Sequence, residues 1–306
     1  MMKLISNNLG PLTALCAVVA YFYPPAFMIF KDYFLWMFAA TMFALGVVLE
    51  STELRSTAKK PKRIALGLLT QYTVMPLLGF LAAWLSNLPP EIALGLIIVA
   101  CAPGAMASNV IVYLAGGAIA YSITLTTFAT FISPLLTPVL VEWLGGAFLP
   151  IPFWAMMKTI LLTVLLPLLL GMALKQTFKE KIKPLQDAAP AIGVIAIVII
   201  CSYAVAANQE RLTQLGPTLL IIVVTINLMG YLAGWSLAKL YGFDRHHQIA
   251  LTIEIGMQNA GLGVALALKH FSPATALPGA IFAVWCVLTA AGMTAYLRRN
   301  QKKAFD

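Results

Sequence analysis

Charge is what this sequence has least of: 10% of its 306 residues are Asp, Glu, Lys or Arg, against 61% hydrophobic residues. With a mean hydropathy of +0.89, no soluble domain of this length could hide its apolar surface, and the chain falls in the polytopic membrane class. Histidine is equally sparse: the three residues, His246, His247 and His270, all fall at loop ends. No Asp lies inside an apolar run, and neither a Gly-rich phosphate loop nor a His-Glu-x-x-His motif occurs, so the chemistry of enzymes is poorly represented. The four cysteines, Cys16, Cys101, Cys201 and Cys286, sit within apolar runs without metal-ligand spacing. That excludes a disulfide framework and predicts small buried side chains.

What the chain has instead is apolar segments of spanning length. Ten can be drawn, at 4–23, 33–50, 64–86, 92–114, 117–142, 152–174, 188–207, 216–238, 247–268 and 277–297. Numbering the connections alternately gathers Lys3, Arg55, Lys59, Lys60, Lys62, Arg63, Lys175, Lys179, Lys181, Lys183, Lys239, Arg245, Arg298, Arg299, Lys302 and Lys303 on one side. The other side holds Lys31, Arg211 and Lys269. By the positive-inside rule both termini are expected in the cytoplasm. The same asymmetry explains the net charge of +9 without any nucleic-acid partner. The first segment has no small-x-small cleavage site before Pro24-Pro25 and is expected to stay as a helix rather than leave as a signal peptide.

A weak internal repeat is visible. Ile92-Ala93-Leu94 opens the fourth segment and Ile249-Ala250-Leu251 the ninth, which aligns Gly104 with Gly261; Gly117-Ala118-Ile119 opens the fifth and Gly279-Ala280-Ile281 the tenth. Halves of five segments each, 1–147 and 148–306, must enter the membrane in opposite senses, so an inverted-topology repeat is expected. Both the fourth and ninth segments are interrupted. Pro103-Gly104 removes a backbone donor and relaxes the helix, and Gly256 loosens it beside Glu254. Paired breaks of this kind point to a substrate or ion site.

Glu254 is the one carboxylate well inside an apolar span. Intramembrane acids are costly and usually functional. Gln258 and Asn259 follow it, Ser108 and Asn109 follow the other break, and Ser122, Thr126 and Thr130 form a stripe along one helix face. These oxygens together with Glu254 suit a small hard cation such as Na+. Gln71, Gln258 and the carbonyls near Ile255 and Met257 could form a second such site. Against this stand two plainer readings: Glu254 protonated or paired with a base, and hydroxyls bonded back to their own helix. Lys158, the basic residue inside a span, is near enough to a surface to snorkel.

Three stretches carry a family resemblance: Pro103 to Asn109, Ile132 to Pro138 and Glu254 to Asn259. With them the chain resembles the bile acid:sodium symporter family over nearly its whole length, most closely the bacterial homologues of the apical sodium-dependent bile acid transporter. The resemblance implies an all-α fold of ten helices with crossing fourth and ninth helices. It further implies a panel domain of helices 1, 2, 6 and 7, and a core domain of helices 3–5 and 8–10. One sodium site would use Ser108, Asn109, Ser122, Thr126 and Glu254, the other Gln71, Glu254, Ile255, Met257 and Gln258. Asn259 would face substrate between the domains. Met106 stands where a relative has Thr, and Cys286-Val287 follow Trp285 where bile-acid-transporting relatives have His-Asn. Part of the polar substrate wall is thereby replaced, so a smaller organic anion is as well suited as a bile acid.

The expectation is therefore a sodium-coupled symporter of an organic anion in a bacterial inner membrane, working by alternating access, with lipid around it and no obligate protein partner. Two rivals are proton coupling through Glu254, and a non-transporting receptor or membrane enzyme. The absence of an extramembrane domain and of a catalytic set disfavours the latter.

Overall fold

The computed structural model describes residues 9–49 and 61–303. Lys3, Arg55, Lys59 and Lys60, with the first residues of segment 1 and most of the link between segments 2 and 3, lie outside the described residues. The described chain is helical throughout. In order come α1 (Leu9–Phe22), a single turn at Pro25–Met28, α2 (Phe34–Val48), α3 (Pro61–Leu85), α4 (Pro90–Ala100), α5 (Ala107–Leu114) and α6 (Ile119–Gly145). They are followed by α7 (Phe153–Phe178, with a π turn at Leu161–Leu165), α8 (Lys183–Ala206), α9 (Gln209–Leu240), α10 (Arg245–Gly256), α11 (Ala260–His270) and α12 (Pro273–Lys303).

Six of these, α3, α6, α7, α8, α9 and α12, are long and apolar enough to cross a membrane. Within hydrocarbon the helix is the structure that satisfies its own peptide groups, which is why a chain this apolar takes it up everywhere. The 15-residue α2 is about 22 Å long, short of the roughly 30 Å hydrocarbon layer. Helix ends extend beyond the apolar segments at two places. Helix α9 begins at Gln209 rather than 216, and α8 at Lys183 rather than 188. Both extensions are polar, so hydropathy marks where lipid contact starts and not where the helix does.

The two expected breaks are present. Helix α4 stops at Ala100 and α5 starts at Ala107; α10 stops at Gly256 and α11 starts at Ala260. The two extended links cross and pair as a miniature antiparallel bridge between Gly104 and Gln258. Ala105 N–H donates to Met257 O at 2.8 Å and Asn259 N–H donates to Pro103 O at 2.8 Å. At the crossing Gly104 therefore lies opposite Gln258, while Gly261, which the Ile-Ala-Leu triplets set against Gly104, stands three residues further on in α11.

Glycines bring the surrounding helices together. A Cβ on Gly46 of α2 would lie 2.2 Å from Leu168 O of α7, and one on Gly171 of α7 would lie 2.3 Å from Phe43 O. In the same way Gly95 of α4 meets Thr275 O at 2.2 Å, and Gly234 of α9 lies against Thr252 and Leu251 of α10. Small residues let membrane helices approach backbone to backbone. At the end of α2, Lys175 Nζ donates to Val48 O and Leu49 O, each at 3.0 Å, closing carbonyls that the helix leaves unpaired.

Asp244 caps α10, accepting from His247 N–H at 3.1 Å and from His247 Nδ1 at 2.8 Å. Arg63 at the start of α3 lies 3.6 Å from the same carboxylate. The His247 side-chain bond, helped by the His247 amide and by Arg63, holds the Asp244 carboxyl down to about 2. A depressed carboxyl stabilises the fold above its ordinary value of 3.8 and loses that contribution as pH falls toward about 2.

Two predictions follow from these contacts. Gly46→Ala should lower the thermal midpoint of the detergent-purified protein by the equivalent of about 1–3 kcal/mol of overpacking. Gly193→Ala, whose Cβ would meet Thr41 Cγ2 at an ordinary 3.5 Å, should leave it nearly unchanged; equal midpoints for the two would contradict the close approach. For Asp244→Asn, the fall in stability that wild type shows between the ordinary value of 3.8 and about 2 should flatten. An identical acid limb in both proteins would remove Asp244 from that role.

Candidate functional site

Glu254 stands in the last turn of α10, 1% exposed. Its position follows from the break: the helix ends two residues later, so its side chain turns into the crossing. Ser108 Oγ of α5 donates to Glu254 Oε1 at 2.5 Å, and Thr126 Oγ1 of α6 donates to Oε2 at 2.7 Å. Ser122 Oγ contacts both Glu254 Oε1 and, at 2.8 Å, Asn109 Oδ1. Ser122 has a single proton for these two acceptors. The set is therefore richer in oxygen than in hydrogen, which is the chemistry of a cation shell rather than of a closed hydrogen-bond network. Gly104 completes the cradle, since a Cβ there would lie 2.7 Å from Glu254 Oε2.

Among the described residues no cationic side chain pairs with this carboxylate. Among the described residues the ion pairs are Arg63–Asp244 and His247–Asp244, and Lys158 is exposed on α7. Thr130, expected to continue the hydroxyl stripe, donates instead to Thr126 O of its own helix at 2.8 Å. That is the back-bonding common to membrane threonines.

On the other side of the crossing, Gln71 Nε2 of α3 donates to Gln258 Oε1 at 2.8 Å and to Ala102 O at 3.1 Å. Gln258 Nε2 donates to Ile255 O at 2.8 Å, and Met257 O takes the Ala105 amide. Gln71, Ile255, Met257 and Gln258 are thus gathered as expected, although no hydrogen bond of the two glutamines reaches the Glu254 carboxylate among the described residues. Amide and carbonyl oxygens are of the type that suits Na+; here Gln258 Oε1, Ile255 O and Met257 O each accept one hydrogen bond.

The residues expected at the substrate are more dispersed. Asn259 is 6% exposed, and its Oδ1 caps α11 by accepting from Leu262 N–H at 3.1 Å. That oxygen and the Gly261 position lie beside Phe38 of α2 and Ile197 of α8. Met106 is half-buried at the start of α5. Cys286 is 2% exposed with its Sγ 3.7 Å from Ala283 O, while Val287 is half-buried against the core.

Sequence reasoning missed Gly104 as part of the carboxylate cradle and missed Asn227 altogether. Asn227 of α9 is fully buried and donates Nδ2 to Gly256 O at 2.8 Å. An amide in the apolar run of residues 216–238 was the available signal.

A family model described as the Sodium Bile acid symporter family matches residues 35–215. The uncharacterized sodium-dependent transporter YocS of Bacillus subtilis is 38% identical over 287 residues, covering 94% of this chain and 89% of that protein. The probable sodium/metabolite cotransporter BASS1 of Arabidopsis thaliana, chloroplastic, is 34% identical over 267 residues, covering 87% of this chain and 67% of its own. The rice chloroplastic protein named probable sodium/metabolite cotransporter BASS2 is 29% identical over 303 residues, covering 98% and 72%. The chain belongs to the sodium bile acid symporter family. Its relatives are named as transporters, not as enzymes, and the family's sodium dependence agrees with the oxygen-rich setting of Glu254.

Gly104→Ala should displace the Glu254 carboxylate from its hydroxyl partners and raise the sodium concentration for half-maximal uptake about tenfold or more in proteoliposomes, the scale of a disturbed ligand shell. A wild-type sodium curve would show that the cradle has slack.

Proposed function

We propose that this protein is a sodium-coupled symporter of an organic anion, that it works by alternating access, and that Glu254 is the charged centre of its sodium binding. The observation that carries this reading is a buried carboxylate facing three hydroxyls and no base, at a crossing of two broken helices. Ser108, Asn109, Ser122, Thr126 and Glu254 form the first site in this reading. Gln71, Gln258 and the Ile255 and Met257 carbonyls form the second, with Glu254 between the two. Sodium neutralises the carboxylate and holds the crossing in shape, so that cation occupancy and the geometry offered to substrate are linked. The inward pull on each sodium is roughly 2.3 kcal/mol per 100 mV of membrane potential.

The substrate in this reading lies near Asn259, Met106, Cys286 and Val287. Helices α5 and α11 both begin at the crossing, and the partial positive charge of their N-terminal ends favours an anion. With one amide among these four positions, the wall lacks the polar partners that would select a bile acid, and a smaller organic anion is as well suited.

The architecture proposed is ten spans in two inverted five-span halves, α4 with α5 making the fourth span and α10 with α11 the ninth, with both termini cytoplasmic. The reciprocal bonds at the crossing support the inverted relation. A division into α1, α2, α7 and α8 as panel, with the remaining helices as core, is supported by the glycine contacts. Gly46 and Gly171 join α2 to α7, while Gly67, Gly79, Gly95 and Gly234 join α3 to α6, α3 to α4, α4 to α12 and α9 to α10. Each tight contact stays within one group.

Sodium-stimulated uptake of an organic anion into proteoliposomes should vanish in Glu254→Ala, because this carboxylate is the full charge in both sites. Uptake that survives with potassium in place of sodium would transfer the coupling to protons. Asn259→Ala should raise the half-saturating substrate concentration more than the sodium midpoint; equal changes in both would assign Asn259 to the cation shell.

A further inference from the structure

The inverted relation proposed above, supported by the reciprocal bonds at the crossing, takes Gly104 to Gln258, and with it Ala102 to Gly256 and Ala100 to Glu254. Each of the two carbonyls so related is held by a side-chain amide from a different long helix. Ala102 O accepts Gln71 Nε2 of α3 at 3.1 Å, and Gly256 O accepts Asn227 Nδ2 of α9 at 2.8 Å. Gln71 and Asn227 therefore do the same work on the two halves of the crossing. Their neighbours differ. Gln71 meets a second amide, Gln258, whereas the positions related to Gln258 and Glu254 on Asn227's half are Gly104 and Ala100, which bring no ligand. Asn227 faces the crossing without the groups that would make it a ligand itself.

What it holds is the carbonyl between those of Ile255 and Met257. Past a helix end, successive peptide planes are free to turn, and Gly256 has no side chain to restrain them; a Cβ there would strike the Tyr231 ring at 2.1 Å. Helix α9 lies close enough to supply the restraint because of its glycines, a Cβ on Gly230 being 3.5 Å from Gly256 Cα. Gly256 O can only accept, so Nδ2 faces it and Oδ1 faces α12. There Thr289 Oγ1 lies 2.9 Å from Asn227 Oδ1 and 3.0 Å and 3.1 Å from Trp285 O and Cys286 O of its own helix, and Tyr231 OH lies 3.4 Å from Thr289 Oγ1. When the Thr289 proton goes to Oδ1, it locks the amide in this orientation.

We propose that Asn227, oriented by Thr289, is a positioning residue for the second sodium site, fixing the Gly256 peptide so that the Ile255 and Met257 carbonyls keep the geometry the ion requires. This rests on the reading of Gln71, Ile255, Met257 and Gln258 as a sodium site. Supporting groups of this kind typically change metal affinity 10–100-fold when removed.

The test is sodium titration of the purified full-length protein, following the sodium-dependent rise in thermal midpoint with potassium balancing ionic strength. Asn227→Leu, of similar volume and without the amide, and Thr289→Val should each raise the sodium midpoint about tenfold or more. Thr289→Ser, which keeps the donor, should stay within about twofold of wild type, a rescue that a merely structural role would not produce. Gln258→Leu separates the two ideas. If it leaves the titration unchanged, the sodium-site reading fails and the positioning role falls with it. If Gln258→Leu shifts the midpoint but Asn227→Leu and Thr289→Val only lower stability equally with and without sodium, the positioning role alone is overturned. Should Asn227→Leu not fold, the Val and Ser variants of Thr289 decide.

Discussion

Two chain segments cross inside an apolar protein with their peptide groups released from any helix, and everything else near the site is organised by the need to pair those groups. An unpaired peptide group in hydrocarbon costs several kcal/mol. The released groups find different partners: Pro103 O and Met257 O take amides from the opposite link, Ala102 O and Gly256 O take Gln71 and Asn227, and Ile255 O takes Gln258. Cys101 O is closed by Thr137 of α6 at 2.9 Å. The polar side chains that gather in mid-membrane are thus first of all a structural requirement of the break. Cation chemistry is added to a scaffold that already demands oxygen and amide groups at that depth.

What is added is charge, and it is added on one half only. Under the inverted relation proposed above, the position that corresponds to Glu254 in the first half is Ala100. Had both positions carried acids, two buried carboxylates would repel each other. In the proposed reading a single carboxylate serves both oxygen clusters, and that asymmetry between the two halves makes the crossing responsive to sodium.

The parts of this arrangement legible in the sequence were those written in unusual residues. Pro103-Gly104 and Gly256 announced the breaks, and an acid within an apolar run announced the centre. Ser108, Asn109, Ser122, Thr126, Gln71 and Gln258 do come together. The residues themselves suggested two oxygen groups and the family resemblance gave the same division, although spacing along one helix says nothing of which helices meet. Which residues lie opposite each other at the crossing could not be read from the triplets, because Ile, Ala and Leu are common throughout membrane helices and say nothing of where two links meet. Asn227 passed unnoticed for a related reason: one amide among apolar residues looks like any buried asparagine until the carbonyl it serves is known. Thr130 shows the reverse error, a hydroxyl at the right spacing whose bond is spent on its own helix.

Under the alternating-access reading, the contacts also indicate where movement is possible. Where a glycine brings one backbone within touching distance of another, as Gly95 does with Thr275 O at 2.2 Å, any slide along the helix would bring a side chain under the partner's backbone, so the pair has one register and moves as a unit. The contact between α2, α8 and the start of α11 is of another kind. There Phe38 and Ile197 approach the Gly261 position at 3.4 Å and 3.6 Å through their side chains, and side-chain contacts can be remade by rotamer change without unpairing any backbone group. Asn259 stands at this contact, directly after the crossing and capping α11. In that reading a change at the crossing on sodium binding reaches the movable boundary through one residue and one helix turn, linking the carboxylate proposed to hold the cation to the surface proposed to meet the substrate.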